Sequence, residues 1–216
     1  MPIRHEFLKE LDILHKNVIK MGTLIEKSID DTIIALTKQD IKLAEEVIKR
    51  DDEIDDLEHH IEGECIMLIA RQQPMASDLR KIASVMKIIT DLERIADHCS
   101  DISEYTIRLA HEKYIKPLIH IPEMASKVKV MVRNTIDSYI KSDIEGANEV
   151  IKTDDDIDKY FYMITEELSD LMQSKPEVVP QCVDFLFIVK YLERMGDHAT
   201  NIAGWIQYIV TGKMNE

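Results

Sequence analysis

Apolar residues recur along this chain at alternating spacings of three and four. The first run carries Phe7, Leu11, Leu14, Val18, Met21, Ile25, Thr32 and Leu36, which is the stripe of a helix that buries one face in a bundle. It predicts a helix ending near Lys38 to Asp40. A second stripe runs from about Ile41 to Arg71 through Val47, Ile54, Leu57, Ile61 and Leu68, and stops at Gln72-Gln73-Pro74. A third, from about Ser77 to His111, buries Ile82, Met86, Ile89, Leu92, Ala96 and Cys99. Pro117 and Pro122 then mark a linker, because proline disfavours helical geometry in the residue before it. Beyond it the triplet returns: a fourth helix with Met124, Val128, Met131, Thr135 and Tyr139, a fifth over roughly Asp143 to Gln173, and a sixth from about Glu177 to Thr211. Long helices with short turns pack antiparallel. The pattern predicts an all-α fold of two pseudo-symmetric three-helix bundles, residues 1–114 and 118–216, stacked into an elongated molecule.

Composition agrees with that picture and narrows the function. The 216 residues include only six Gly and six Pro, with 45% hydrophobic residues, enough to bury a core without a sheet. A balance of 27 basic against 41 acidic residues gives a net charge of −14, which disfavours nucleic acid and anionic membrane surfaces as partners. Cys65, Cys99 and Cys182 are widely spaced and odd in number, so they read as small buried apolar side chains and not as a disulfide framework. No signal core or membrane-length apolar run is present, and a cytoplasmic location is expected. Catalysis has no motif behind it: there is no nucleophile signature, phosphate-binding glycine loop or His-Glu-x-x-His.

The duplication also reaches the acids. Leu92-Glu93-Arg94-Ile95-Ala96-Asp97-His98 recurs as Leu192-Glu193-Arg194-Met195-Gly196-Asp197-His198. Composition alone would place about eight acid pairs at i,i+4 in this chain, so one such pair carries no information. A second, upstream set does. Asp51 with Asp97 and Asp55 with Glu93 are symmetric about Pro74, while Asp154 with Asp197 and Asp158 with Glu193 are symmetric about the Lys175-Pro176 bond. In an antiparallel hairpin, positions equidistant from the turn face each other. Pairs at i,i+4 lie about 5–6 Å apart on one helix face, so each half presents four carboxylates across two helices. Like charges at that spacing call for a hard cation with several oxygen ligands. Glu93 and Asp97 sit one residue around from the core stripe of Leu92 and Ala96, which places the acids at a bundle edge open to water. His98 and His198 follow the acids, but the next residue on a helix points about 100° away, giving them a surface or core-edge role. Trp205 and Tyr208 read as core or dimer contact.

The run Arg71-Gln72-Gln73-Pro74-Met75-Ala76-Ser77-Asp78-Leu79-Arg80, followed by the two Leu-Glu-Arg-x-(Ala/Gly)-Asp motifs, resembles the PhoU family of phosphate-uptake regulators over nearly the whole chain. The resemblance implies a cytoplasmic, usually homodimeric regulator that represses the phosphate-starvation response when phosphate is plentiful. It also implies contact with the ATP-binding subunit of the phosphate transporter and with a sensor histidine kinase. Members carry divalent metal or multinuclear iron, iron or zinc foremost, on E(D)xxxD motifs. Those motifs fall here on Glu93 and Asp97 and on Glu193 and Asp197, with Asp51, Asp55, Asp154 and Asp158 facing them. Asp101 and Asn201 are additional candidate ligands, and their difference in charge predicts two unequal sites. Glu26 and Asp30 fall near the level of Asp51 and Asp55 and are further candidates; Asp78 and Arg80 have no counterpart in the second half.

Two other readings of the same acids stand beside this one. One is a dinuclear-metal helical oxidase or iron-handling protein, although no Glu-x-x-His pair lies in the required register. The other is a metal-free helical scaffold whose acids form a solvated face, with Arg94 and Arg194 neutralising carboxylates on the helix surface.

Overall fold

The computed structural model describes residues 2–213 and contains six long helices. They are α1 (Pro2–Lys38), α2 (Ile41–Gln72), α3 (Ala76–Leu109), α4 (His120–Lys141), α5 (Ile144–Ser174) and α6 (Val179–Thr211), with one 3-10 turn at Pro176–Val178. The all-α architecture read from the periodicity is the one observed, and the helix ends fall within a few residues of the breakers. Pro122 lies inside the first turn of α4 and not in the linker. A proline there removes an N–H that has no intrahelical acceptor in any case.

The turns are built by side chains more than by glycine. Gln39, Gln73 and Ser142 close α1, α2 and α4 in the left-handed region at φ 54°, 43° and 51°. Asp40 then caps α2 by accepting from the Leu43 amide at 3.1 Å. Gln39 donates its side-chain amide to the carbonyl of Leu109 at 2.9 Å, and Tyr114 donates its hydroxyl to the carbonyl of Leu36 at 2.6 Å. These bonds tie the end of α1 to the exit of α3.

Within each triplet the helices pack on their apolar stripes. Leu14, Val18, Met21 and Ile25 of α1, Ile54 and Ile61 of α2, and Ile82, Ile88 and Leu92 of α3 are all sealed from solvent. Each such side chain contributes roughly 1.5–3 kcal/mol of burial. The triplets pack side by side along their helices. Along the facing helices α3 and α6, Arg80 meets Ile209, Asp91 meets His198 and Arg108 meets Asp184. The descending partner numbers make the pair antiparallel over nearly its whole length. A second antiparallel contact joins α1 to α4, where His15 meets Tyr139 and Asp30 meets Lys129, so the two triplets share one continuous core. The pattern predicted both seams as core faces, but a stripe does not say which helix covers it.

The α1–α4 approach depends on Gly22. A Cβ there would lie 2.8 Å from Cδ1 and Cγ1 of Ile136, whereas a Cβ on Gly63 of α2 would meet open space. Gly22→Val is therefore expected to cost about 1–3 kcal/mol by overpacking. Gly63→Ala is expected to gain about 0.5–1 kcal/mol of helix propensity. Urea denaturation of the two variants checks both signs.

Candidate metal centre

The periodicity that builds the core also fixes the acids. Leu92 and Ala96 of α3 and Ile54 of α2 are buried. Their neighbours Glu93, Asp97 and Asp55 are carried to the α2–α3 edge, where they are half-buried. The side chain of Glu93 is 18% exposed and that of Asp97 30%. The carboxylates thus sit deeper than a water-open surface edge, at the boundary of the apolar core.

In the first triplet, Asp51, Asp55 and Asp97 each place a carboxylate oxygen within 4.8 Å of the others. Two oxygens on one ion at bond lengths of about 2.0–2.6 Å can lie up to about 4–5 Å apart, so these three are close enough to share an ion. The geometry leaves two acceptors without partners, since Oδ1 of Asp51 and Oδ1 of Asp55 are buried and make no hydrogen bond. An orphaned buried polar atom of this kind costs about 1–3 kcal/mol. Burial first, then the charges of Asp97 and Asp55, push the Asp51 carboxyl up to about 7. Burial followed by Asp97 raises Glu93 to about 6 and raises Asp55 as well. Among the described residues His59 acts on Asp55, and the cation paired within the cluster is Arg94, whose guanidinium lies 2.6 Å from Asp97 and 3.3 Å from Glu93. It points outward, 54% exposed, and leaves the inner oxygens of Asp51 and Asp55 uncompensated. An all-oxygen donor set with two unpartnered inner atoms fits a divalent cation. Asp51, Asp55 and Asp97 would hold it, and Glu93 lies within their field.

The second triplet carries the same residues in a different arrangement. Burial, then Asp197, Asp158 and Glu193, raise the Asp154 carboxyl to about 6. Glu193, however, is drawn to Lys190 at 2.5 Å, and Asp158 is exposed. No compact trio forms among the described residues there. Gly196 replaces Ala96 where a Cβ would stand 3.1 Å from Oδ1 of Asp154 and 3.4 Å from Cγ2 of Ile157. The missing methyl lets α6 approach the Asp154 carboxylate.

The remaining candidates are spoken for elsewhere. Asp101 accepts from His98 at 3.3 Å, and Asn201 donates to Asp91 at 3.2 Å. Both therefore belong to the α3–α6 seam. Asp30 reaches across to Lys129 of α4 at 2.6 Å, and Glu26 is not part of the acidic trio. Two features escaped sequence reasoning. His98 and His198 meet with ring centroids 5.7 Å apart, because an antiparallel pair of repeated helices brings equivalent residues together near its pseudo-dyad. Arg50, which binds Asp31 at 2.6 Å and Ser28 at 3.3 Å, pins α2 to α1 one residue before Asp51. Only the three-dimensional pairing of the helices reveals either.

Comparisons with known proteins agree with this architecture. The PhoU domain model matches residues 18–106 and again residues 121–206. A phosphate-specific transport system accessory protein PhoU homolog from Clostridium acetobutylicum is 44% identical over 211 residues, 97% of this chain and 96% of the relative. The crystal structure of PhoU from Pseudomonas aeruginosa superposes with a TM-score of 0.93 at 34% identity, covering 96% of this chain and all of that one. That of the phosphate transport system regulatory protein PhoU from Streptococcus pneumoniae gives 0.91 at 28% identity, covering 97% and 99% of the two chains.

The raised carboxyl of Asp51 fixes the sign of a pH dependence. Its folded value of about 7 lies above the ordinary 3.8, so between those values the folded protein holds a proton that the unfolded chain has released. The stability this proton confers is complete below the ordinary value and is lost as pH rises through about 7. The melting temperature of chelated protein is expected to fall between about pH 5 and about pH 8. Asp55→Asn should flatten the fall, because it removes one of the repelling charges. A melting temperature that climbs over that interval would contradict the clustered geometry.

Proposed function

The chain belongs to the PhoU family, and on that footing we propose that it is a non-catalytic accessory regulator of phosphate transport. In this reading it restrains uptake and the starvation response when phosphate is plentiful. It does so by docking on the transporter's ATP-binding subunit and on a sensor histidine kinase, as a homodimer. Its names among relatives, accessory and regulatory protein of phosphate transport, support the coarse role. No helix among the described residues is long and apolar enough to cross a membrane.

The observation that carries the metal part of the proposal is the pair of orphaned inner oxygens on Asp51 and Asp55. Asp51, Asp55 and Asp97, supported by Glu93, bind a divalent ion, iron or zinc foremost, and Asp154, Asp158, Glu193 and Asp197 offer a second, looser set. When bound, the ion supplies positive charge that cancels the repulsion among carboxylates held at the core edge. The residues then lock α2 to α3, while Arg94 orients the outer oxygens of Glu93 and Asp97. One observation favours the metal-free scaffold instead: Arg94 and Lys190 already neutralise part of each cluster. It leaves the inner oxygens unexplained.

Elemental analysis of protein purified without chelator decides between the two. We expect divalent metal in the wild type and its loss in a variant carrying Asp51→Ala, Glu93→Ala and Asp97→Ala. Removing the metal should lower the melting temperature, since a ligand at about 100 times its Kd stabilises the folded state by about 2.7 kcal/mol. A wild type that stays metal-free after reconstitution would leave the acids as a charged docking face. For the regulatory role, affinity capture from phosphate-replete cells should recover the transporter's ATP-binding subunit or the kinase, and recover less from starved cells. Recovery of neither under replete conditions would sink that role.

A further inference from the structure

The run that distinguishes the first triplet, Gln73-Pro74-Met75-Ala76-Ser77-Asp78-Leu79-Arg80, has no part in the metal centre, and the structure shows where it leads. It opens α3 at the end of the molecule where α1, α3, α4 and α6 converge. Arg80 donates its Nε–H to the carbonyl of Ile209 at 3.2 Å and lies over the ring of Tyr208 at 5.9 Å, clamping the last turn of α6. Beside that clamp is a cavity of 340 Å³ between the two triplets, within the range of roughly 300–1,000 Å³ found for small-molecule sites.

Its lining divides into two kinds of surface. Ile19 of α1, Ile140 of α4 and Ile209 of α6 make an apolar wall, backed by buried Val85 and Ile206. The polar end holds Lys81, His15 and Tyr139, with Asp12 and Lys16 at the rim. Asp12 and Lys16 neutralise each other at 2.6 Å. His15 is bonded through Nδ1 to the hydroxyl of buried Tyr139, and burial, followed by the charge of Lys81, pushes its pKa down, against the charged ring. One charge remains. Lys81 is half-buried and has no carboxylate partner among the described residues, although the chain carries 41 acids and a net charge of −14. In so acidic a protein, a half-buried lysine beside a cavity and without a counter-ion is conspicuous.

We propose that this cavity binds a small amphiphilic monoanion, an organic carboxylate with a medium-length hydrocarbon body. The head pairs with the Lys81 ammonium and accepts from the His15–Tyr139 pair. The tail lies against Ile19, Ile140 and Ile209. A single uncompensated cation selects one negative charge, and the aliphatic wall selects a ligand with methylenes to bury. Because the wall is drawn from both triplets, the bound acid would bridge them at the end opposite the Gln39 tie. The inference is independent of the metal reading.

Isothermal titration calorimetry of the full chain with octanoate tests it. Octanol supplies the body without the charge, and inorganic phosphate the charge without the body. We expect one saturable octanoate site, with octanol and phosphate each weaker by about tenfold or more. Lys81→Met, which keeps the side-chain stem, should weaken octanoate by a similar factor. Ile140→Trp, placed on a half-exposed residue of the lining, should obstruct the cavity while unchanged helical circular dichroism reports an intact fold. Absence of saturable octanoate binding to the wild type would overturn the proposal. So would equal affinity in Lys81→Met, or phosphate binding as tightly as octanoate.

Discussion

The antiparallel packing of α3 against α6 is the constraint on which the rest of the molecule depends. It turns two amphipathic triplets, neither of which covers all of its own apolar surface, into one continuous core. It also sets where polar groups can go. Arg108 reaches the buried carboxylate of Asp184 at 3.3 Å, and burial raises that carboxyl while the guanidinium partly offsets it. His198 engages Asp91 at 2.9 Å. At the pseudo-equivalent place the His98 ring lies tilted against that of Tyr191, centroids 5.3 Å apart, because position 191 is tyrosine where position 91 is aspartate. The seam is pseudo-symmetric in its backbone and asymmetric in its polar chemistry.

The same asymmetry runs through the acidic clusters. Both hairpins repeat the acid spacing, yet only the first draws three carboxylates together with inner oxygens unpaired. Lys190 provides part of the reason. It stands where the first triplet has Thr90, which bonds Glu58 and Met86, and it takes Glu193 for itself. The first cluster is consequently an expensive arrangement for the apo fold. Burial and mutual repulsion raise its carboxyls toward neutrality, a pattern that concentrates at functional sites. A cluster held this way costs the fold stability wherever nothing positive offsets it.

The two ends of the molecule differ in the same way. At one end Gln39 and Tyr114 fasten the α1–α2 turn to the exit of α3 with direct hydrogen bonds. At the other, Arg80 clamps α6 and a cavity remains beside it. The cavity beside Arg80 is lined from both halves, so a ligand there would affect how they pack.

Periodicity determined a great deal about this protein before any coordinates. The spacing of Leu14, Val18, Met21 and Ile25 specified a buried helical face. The prolines and glutamines specified the turns, and the symmetry of Asp51, Asp55, Glu93 and Asp97 about Pro74 specified which acids share a hairpin. Each of these is local, or follows from one antiparallel fold-back, and a 3.6-residue period fixes it. What only the tertiary structure decided is every property that depends on which helix covers which stripe. The side-by-side seam, the meeting of His98 with His198, the diversion of Asp101 and Asn201 into that seam, and the inner position of the Asp51 and Asp55 oxygens all arise from contacts between helices far apart in sequence. An apolar stripe is satisfied equally well by any apolar partner, so the pattern alone leaves that partner unspecified. The close approach at Gly22 and the unpaired charge of Lys81 belong to the same class, being consequences of packing that no local spacing encodes.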